Sequence, residues 1–413
     1  MNTKVGFSRR QWRIFIGCSL AYFSAYLARL NLSAALSPLM ADMQLTGAQG
    51  GLLQTVFAAV YAAGQFVNGA IVDRVSARWY ILLGLLLTGL FNLLSGLATA
   101  YWMLVLLWAL NGAAQSMLWT PLVKLMAIWF KGRRRSRVSF GMTVMLIAAN
   151  LCAWSLAGLL ATRVSWRWSF IVPAIWVVLS GAGSWLILRD RPEPGEDLGE
   201  EEIPEPSAES VKKPVRSILW TTGLVQILIC CVGNGFVRDD ILTWAPTIIA
   251  SFGSAGTLDP TVTSLIVPLL NLFGVLLARK AYSVFGENPR RTTGALMLLS
   301  SLLSFFLIPA GVSVYACALL LGLSCSLTYG VNPLLTTIIP MEYEDSGRVG
   351  LVAGMVDAFI YAGSALAGVI TGAVSDAWGW QPVFLLWGAA AAAAGAAVLM
   401  SVRSARRLEG GKA

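Results

Sequence analysis

Six charged side chains stand inside long apolar runs of this chain: Arg29, Lys124, Arg238, Asp239, Asp240 and Asp357. A charge in such a run is costly, and it usually faces a cavity or a partner. Together these residue types offer oxyanion recognition and proton exchange, not bond cleavage. Arg29 lies in Tyr22-Phe-Ser-Ala-Tyr26-Leu-Ala-Arg29-Leu-Asn31. On a helix, Tyr22, Tyr26 and Arg29 share one face, within roughly 40°. Tyrosine hydroxyls beside a guanidinium fork suit a phosphate or a carboxylate. Arg238 lies in Asn234-Gly-Phe-Val-Arg238-Asp239-Asp240-Ile-Leu-Thr-Trp244-Ala-Pro246. Pro38 follows Arg29 by nine residues and Pro246 follows Arg238 by eight, which reads as the trace of an internal repeat. The two arginines are then expected to face each other near the membrane midplane. A plainer reading stays open, in which either arginine only pairs with a local aspartate. Asp239, Asp240 and Asp357 are possible partners for Arg238, whereas the first span offers no acid.

The carboxylates form a second group. Asp357 is one turn before Tyr361 and shares its face. A carboxyl in a low-dielectric cavity can carry a proton during a transport cycle. Asp357, Asp239 and Asp240 are therefore the candidates for proton coupling. Asp239 and Asp240 point about 100° and 200° away from Arg238, so both should not line one cavity. Lys124 can either contact a substrate or snorkel towards the membrane edge near Trp129 and Lys131.

These residues need a lipid-embedded scaffold. Of the 413 residues, 57% are hydrophobic and only 12% are charged, too few to cover a water-soluble surface. Apolar runs are expected at roughly 12–40, 50–73, 79–98, 102–129, 138–162 and 167–188, then at about 217–250, 262–285, 292–310, 312–340, 347–375 and 380–402. The organisation is a six-helix bundle over 1–188, an acidic proline-rich linker over 189–216, a second bundle over 217–402, and a tail over 403–413. The fold class is an all-α polytopic membrane protein of twelve helices in two pseudo-symmetric bundles.

The net charge of +9 does not call for nucleic acid. With the N-terminus inside, 25 of the 30 Lys and Arg fall on the cytoplasmic side, among them Arg133, Arg135, Arg403, Arg406 and Arg407. Both termini are thus expected in the cytoplasm of a cell with this protein in its plasma or inner membrane. No cleavable signal peptide is recognised. The six cysteines lie in apolar segments and read as packing residues. There is no histidine, which removes imidazole chemistry and the usual zinc sites. No nucleotide-binding loop is present. We expect no cofactor, no metal and no catalytic residue, and a monomer. Trp102, Trp166, Trp168, Trp378 and Trp380 fit interfacial belts, and the run Ala389–Ala397 fits close helix packing.

Between the second and third spans, Gly69-Ala-Ile-Val-Asp73-Arg74-Val-Ser76-Ala-Arg78 resembles the major-facilitator gating signature, with Ser76 in place of its second glycine. Gly69, Asp73, Arg74 and Arg78 are the gating candidates. Beyond this, Tyr-x-x-Arg-x-Asn in the first span and Arg-x-x-Ile-Leu-x-Trp-x-Pro in the seventh resemble the organophosphate:phosphate antiporters. That resemblance implies exchange of phosphate esters for inorganic phosphate. It implies Arg29 and Arg238 as phosphate ligands, with Tyr22, Tyr26, Tyr61, Trp119, Tyr329 and Tyr361 lining the cavity. Gln65 stands where that family often has lysine, Ala149 where it has histidine, and Gly235 where it has tyrosine. Arg29-Leu-Asn31-Leu-Ser33 and Gly50…Phe57…Tyr61…Gln65 also resemble the anion:cation symporters. This second likeness implies carboxylate transport with protons, and a basic residue at Lys124. Substrate binding is therefore assigned to Arg29, Arg238, Tyr22, Tyr26, Tyr61, Gln65, Trp119, Lys124, Tyr329 and Tyr361. Protons or inorganic phosphate are the coupling ions to expect, alongside a small anionic substrate.

Overall fold

In the computed structural model the described residues are 6–193, 196, 198, 219, 222–252, 260–308, 313–343 and 349–409, and they contain helices and turns but no strand. The Glu200–Glu202 run and most of the linker lie outside them, as does the end of the tail. So do the side chains of Gly69, Asp73, Arg133, Arg135, Arg403, Arg406 and Arg407. The helices are α1 (Arg9–Met43), α2 (Gly47–Ile71), α3 (Ala77–Leu97), α4 (Tyr101–Ser116), α5 (Trp119–Trp129), α6 (Gly132–Arg163) and α7 (Trp168–Ile187). After the linker come α8 (Leu224–Phe252), α9 (Pro260–Ser264), α10 (Ile266–Val284), α11 (Pro289–Phe306), α12 (Val314–Pro333), α13 (Ile339–Met341), α14 (Val349–Trp378) and α15 (Trp380–Glu409). Three short breaks divide continuous rods, at α4–α5, α9–α10 and α12–α13, so these helices make twelve membrane-spanning rods.

Eight rods are long and apolar enough to cross a bilayer by length and composition. Those of α1, α2, α8 and α11 fall short of that measure, and two of them carry the arginines. Polarity turned inward is the pattern in α3, where Thr88, Asn92 and Ser95 are buried while Leu83, Leu86, Leu90, Leu93 and Leu97 are exposed. The same holds for α11, with Ser300, Ser301 and Ser304 inside and Leu298, Leu302 and Phe306 outside. Lipid, being as apolar as leucine, gives no reason to bury leucine, so small and polar residues take the interhelical contacts.

Two compact units form, one from 1–39 and 59–206, the other from 40–58 and 207–413. In the first, Cys18, Ala21, Ala25 and Ala28 make a small-residue face of α1 that packs on Ile81, Leu85, Leu122 and Leu125. The neighbouring face of α1 carries half-buried Tyr26 and Arg29, while Tyr22 packs against the edge of that core. Ser76 caps α3, and Asp190 accepts from the Ser76 hydroxyl at 2.5 Å and from the Arg78 amide at 2.9 Å.

In the second unit, α8 packs against α14 and α15, and α11 against α15. The alanine run of α15 fits that role: Ala394 Cβ would lie 2.6 Å from a Cβ placed on Gly233. The stretch 40–58 joins this unit through α2. A Cβ on Gly51 would sit 1.8 Å from the Gly368 carbonyl, so only glycine lets these helices approach. Thr46 and Gln49 form a reciprocal cap at the start of α2. Asp376 adds a carboxylate that accepts from the Gly47 and Ala48 amides at 2.7 and 2.8 Å. An acid is favoured there by the partial positive charge of a helix N-terminus.

Trp166 lies at a rod end, in the turn between α6 and α7, and is buried: Phe170 meets it edge-on at 5.9 Å and Arg167 lies over its ring at 4.5 Å. Trp102 and Trp378 are exposed at the ends of α4 and α14 as a belt requires. All six cysteines are free thiols; five are buried and Cys152 is exposed.

Candidate functional site

In the first unit the Arg29 guanidinium lies over two tyrosine rings, 4.8 Å from the centre of Tyr61 and 5.6 Å from that of Tyr26. Tyr22 packs edge-on against Tyr26 at 5.0 Å and tilts against Trp119 at 5.1 Å. The Tyr22 and Tyr26 hydroxyls come within 3.5 Å of each other. Trp119 reaches this cluster because the fourth rod breaks at Met117–Leu118 and restarts as α5. Gln65 accepts from the Thr120 hydroxyl at 3.2 Å. Five of the residues singled out in the sequence, Arg29, Tyr22, Tyr26, Tyr61 and Trp119, are thus one constellation of contacts.

Beneath Arg29 lies a network the sequence reading missed. The carbonyl of Ala28 accepts from Asn92 at 3.2 Å, Asn111 at 3.2 Å and Gln115 at 3.1 Å. Asn31 donates to Asn92 at 2.9 Å and to the Ser169 carbonyl at 3.0 Å. Side chains from α3 and α4 so converge on the peptide that leads into Arg29 and fix its height and rotation. The signal was available: carboxamides at Asn92, Asn111 and Gln115 stand in otherwise apolar spans, where each needs a hydrogen-bond partner.

Lys124 points elsewhere. Its ammonium donates to the Val72 carbonyl at 2.6 Å and the Val75 carbonyl at 3.4 Å. It therefore satisfies the turn after α2, in the loop that joins α2 to α3. In that loop, Arg78 donates to the Trp185 carbonyl at 2.6 Å and stacks 4.1 Å over the Trp185 ring. Arg74 is exposed on the short 3-10 turn Val72–Arg74.

In the second unit Arg238 has a different environment. Its Nε donates to Asp239 Oδ1 at 2.8 Å and its Nη2 to Asp239 Oδ2 at 3.1 Å, a two-pronged pair. Its Nη1 donates to the Asn332 carboxamide. The side chains are only 12% and 16% exposed, so water screens the pair weakly. Tyr329, Tyr361 and Asp357 lie within electrostatic reach of Arg238. Pro333 removes the amide that would bond the Tyr329 carbonyl, and the rod passes through a wider turn at Leu334–Ile338.

Asp240 faces away from this pair, into the protein. It accepts from the Thr371 hydroxyl and from the Trp387 indole, the latter at 2.8 Å, and it is wholly buried. Gly235 explains a departure from the antiporter pattern. A Cβ there would sit 1.9 Å from the Ile360 carbonyl, so α14 occupies the space a tyrosine would need.

Each unit also has an arginine at the start of its third rod. Arg78 opens α3. Arg290 opens α11 and is fully buried, donating to Glu342 at 2.7 Å and to the Thr222 and Ser401 carbonyls at 2.9 Å each.

The sequence pattern of the Major Facilitator Superfamily matches residues 18–349. A "Probable hexose phosphate transport protein" of Chlamydia trachomatis serovar D is 25% identical over 411 residues, covering 90% of this chain and 87% of that one. The glycerol-3-phosphate transporter of Bacillus subtilis is 24% identical, with 92% and 89% covered. The membrane sensor protein UhpC of Escherichia coli K12 is 25% identical, with 91% and 89% covered. Among solved structures, a bacterial homolog of the human lysosomal transporter Spinster superposes with a TM-score of 0.72 at 15% identity, over 98% and 97% of the two chains.

Proposed function

Because the chain belongs to the Major Facilitator Superfamily, we propose that it is a secondary active transporter of a small organic anion, a phosphate ester or a carboxylate, holding that anion between Arg29 and Arg238. It is a carrier and not an enzyme. The relatives named for hexose phosphate and glycerol 3-phosphate favour a phosphorylated substrate. The observation that carries the reading is the Arg29 cluster, a half-buried guanidinium ringed by tyrosines and set by three carboxamides on the preceding carbonyl.

In this mechanism the anion enters from one side and takes charge-assisted hydrogen bonds from both arginines. Its charge offsets their mutual repulsion, which favours the occluded state. The two six-helix bundles, joined by the linker over 189–216, then rock about the filled site. Both termini stay in the cytoplasm. If the empty carrier cannot cross, the result is exchange; if a protonated acid substitutes for the anion's partner, the result is symport.

The test is counterflow in proteoliposomes with inorganic phosphate, glycerol 3-phosphate, glucose 6-phosphate and gluconate. At least one anion should exchange, and Arg29→Lys should weaken it by about 100-fold, since lysine keeps the charge but loses the fork. Full-affinity exchange in Arg29→Lys would place the site elsewhere. The likeness to UhpC favours a second reading, a ligand sensor. Tight anion binding with no flux in the same vesicles would select it.

A further inference from the structure

Arg238 already holds an anion, and that anion belongs to its own chain. Two of its three guanidinium nitrogens are on the Asp239 carboxylate and the third is on Asn332. Adjacent helical residues diverge by about 100°, so this contact requires both side chains to bend towards each other. A substrate oxyanion wants the same two-pronged edge. We propose that Asp239 is a tethered competitor for the substrate on Arg238, and that one proton on Asp239 releases the fork to the incoming anion. This rests on the anion-carrier reading above and adds its coupling step.

The surroundings single out Asp239 from the other acids. On the same helix, Asp240 is turned away and committed to Thr371 and Trp387. From α14, Asp357 and Tyr361 face Arg238, and from α12, Tyr329 and Cys325 do. From α15, Trp387 meets Asp240 only, and α9 holds no titratable group. Of the carboxylates among these, Asp239 is the one bonded to the fork.

The balance is simple. A bulk proton adds to one Asp239 oxygen, which turns the carboxylate into a neutral acid and removes its hold on Nε and Nη2. Arg238 keeps its positive charge and donates those two N–H groups to the substrate. On release the proton leaves, and Asp239 closes on Arg238 again. One proton thus travels with each anion, and the carrier returns with an internal ion pair in place of a bare cation. A resident carboxylate also sets selectivity. A substrate must out-compete it, so acidic conditions favour binding, and an anion with two formal charges gains more than one with a single charge.

The experiment uses the full chain, purified and reconstituted, probed with inorganic phosphate, glucose 6-phosphate and gluconate. For wild type, the half-saturating concentration of the anion that binds should rise about tenfold per pH unit above the transition. In Asp239→Asn it should fall about tenfold at pH 7.5 and lose most of that pH dependence. If Asp239→Asn keeps both the wild-type affinity and the wild-type slope, the competitor idea is rejected. Should Asp239→Asn fail to fold, the infrared difference spectrum of wild type on anion binding gives the answer. A protonated-carboxyl band should appear, and Asp239→Glu should move it; no band, or an unmoved one, overturns the proposal. An Arg238→Lys arm separates the two levels of inference. Binding that needs Arg238 but ignores Asp239 rejects only the coupling, whereas binding indifferent to Arg238, or none of any probe, rejects the anion site as well.

Discussion

Arg29 and Arg238 occupy matching rods of the two units, yet one is held by rings and the other by a carboxylate. An aromatic face attracts the cation through its plane. A carboxylate takes two N–H donors and offsets the charge. The same side chain is thereby stacked on rings in the first unit and ion-paired in the second. The backbone beneath follows suit. Ala28 is fixed by three carboxamides, whereas the corresponding stretch of α8 is pressed against α14 through Gly235.

The contrast can be broken most severely at Gly235. Gly235→Leu forces α8 from α14, and overpacking of this kind costs about 1–3 kcal/mol or more. The melting temperature of the detergent-purified protein should fall by several degrees, and anion exchange should be lost. A wild-type melting curve would show that the close approach is dispensable. Removing the buried latch comes next. Arg290→Met leaves Glu342 and two carbonyls without their donor, a loss of about 3 kcal/mol for a broken buried pair, read as reduced thermal stability. Arg78→Met should cost less, because Arg78 is half-buried and its partners are a carbonyl and a ring.

A smaller effect sharpens the first unit. Asn111→Leu removes one of three donors to Ala28, worth about 1 kcal/mol in a membrane protein. The half-saturating anion concentration should rise about fivefold with little change in melting temperature; equal loss of stability would mean that the network only packs helices. Smallest of all is Tyr61→Phe, which keeps the ring under Arg29 and should alter affinity less than about threefold. Tyr61→Leu removes the ring and about 0.5–2 kcal/mol with it. Equal affinities for the two variants would show that the ring contact contributes nothing.

The rods and the two arginines were legible because long apolar runs, and the charges and tyrosines set in them, are conspicuous in the sequence. Periodicity also put Tyr22, Tyr26 and Arg29 on one face. What was not legible depended on tertiary contact. Lys124 carries a charge that says nothing about which carbonyls it will find, and the structure gives it Val72 and Val75. The sequence left Asp239, Asp240 and Asp357 open as partners of Arg238, and only the tertiary arrangement singles out Asp239. Gly235 looked like the loss of a tyrosine and is instead a requirement of the helix beside it. Asn332 and the carboxamides on Ala28 were passed over because an amide in a span draws less notice than a charge, although its demand for a partner is nearly as strict.

The start of α2 is folded with the later part of the chain, under the carboxylate of Asp376 and against the glycines of α14. A gene cut in the linker would therefore not yield two self-sufficient fragments. The leading fragment would keep the turns 47–58 but lose the surface and the cap that complete them. Such fragments should accumulate poorly when expressed singly and be rescued when expressed together.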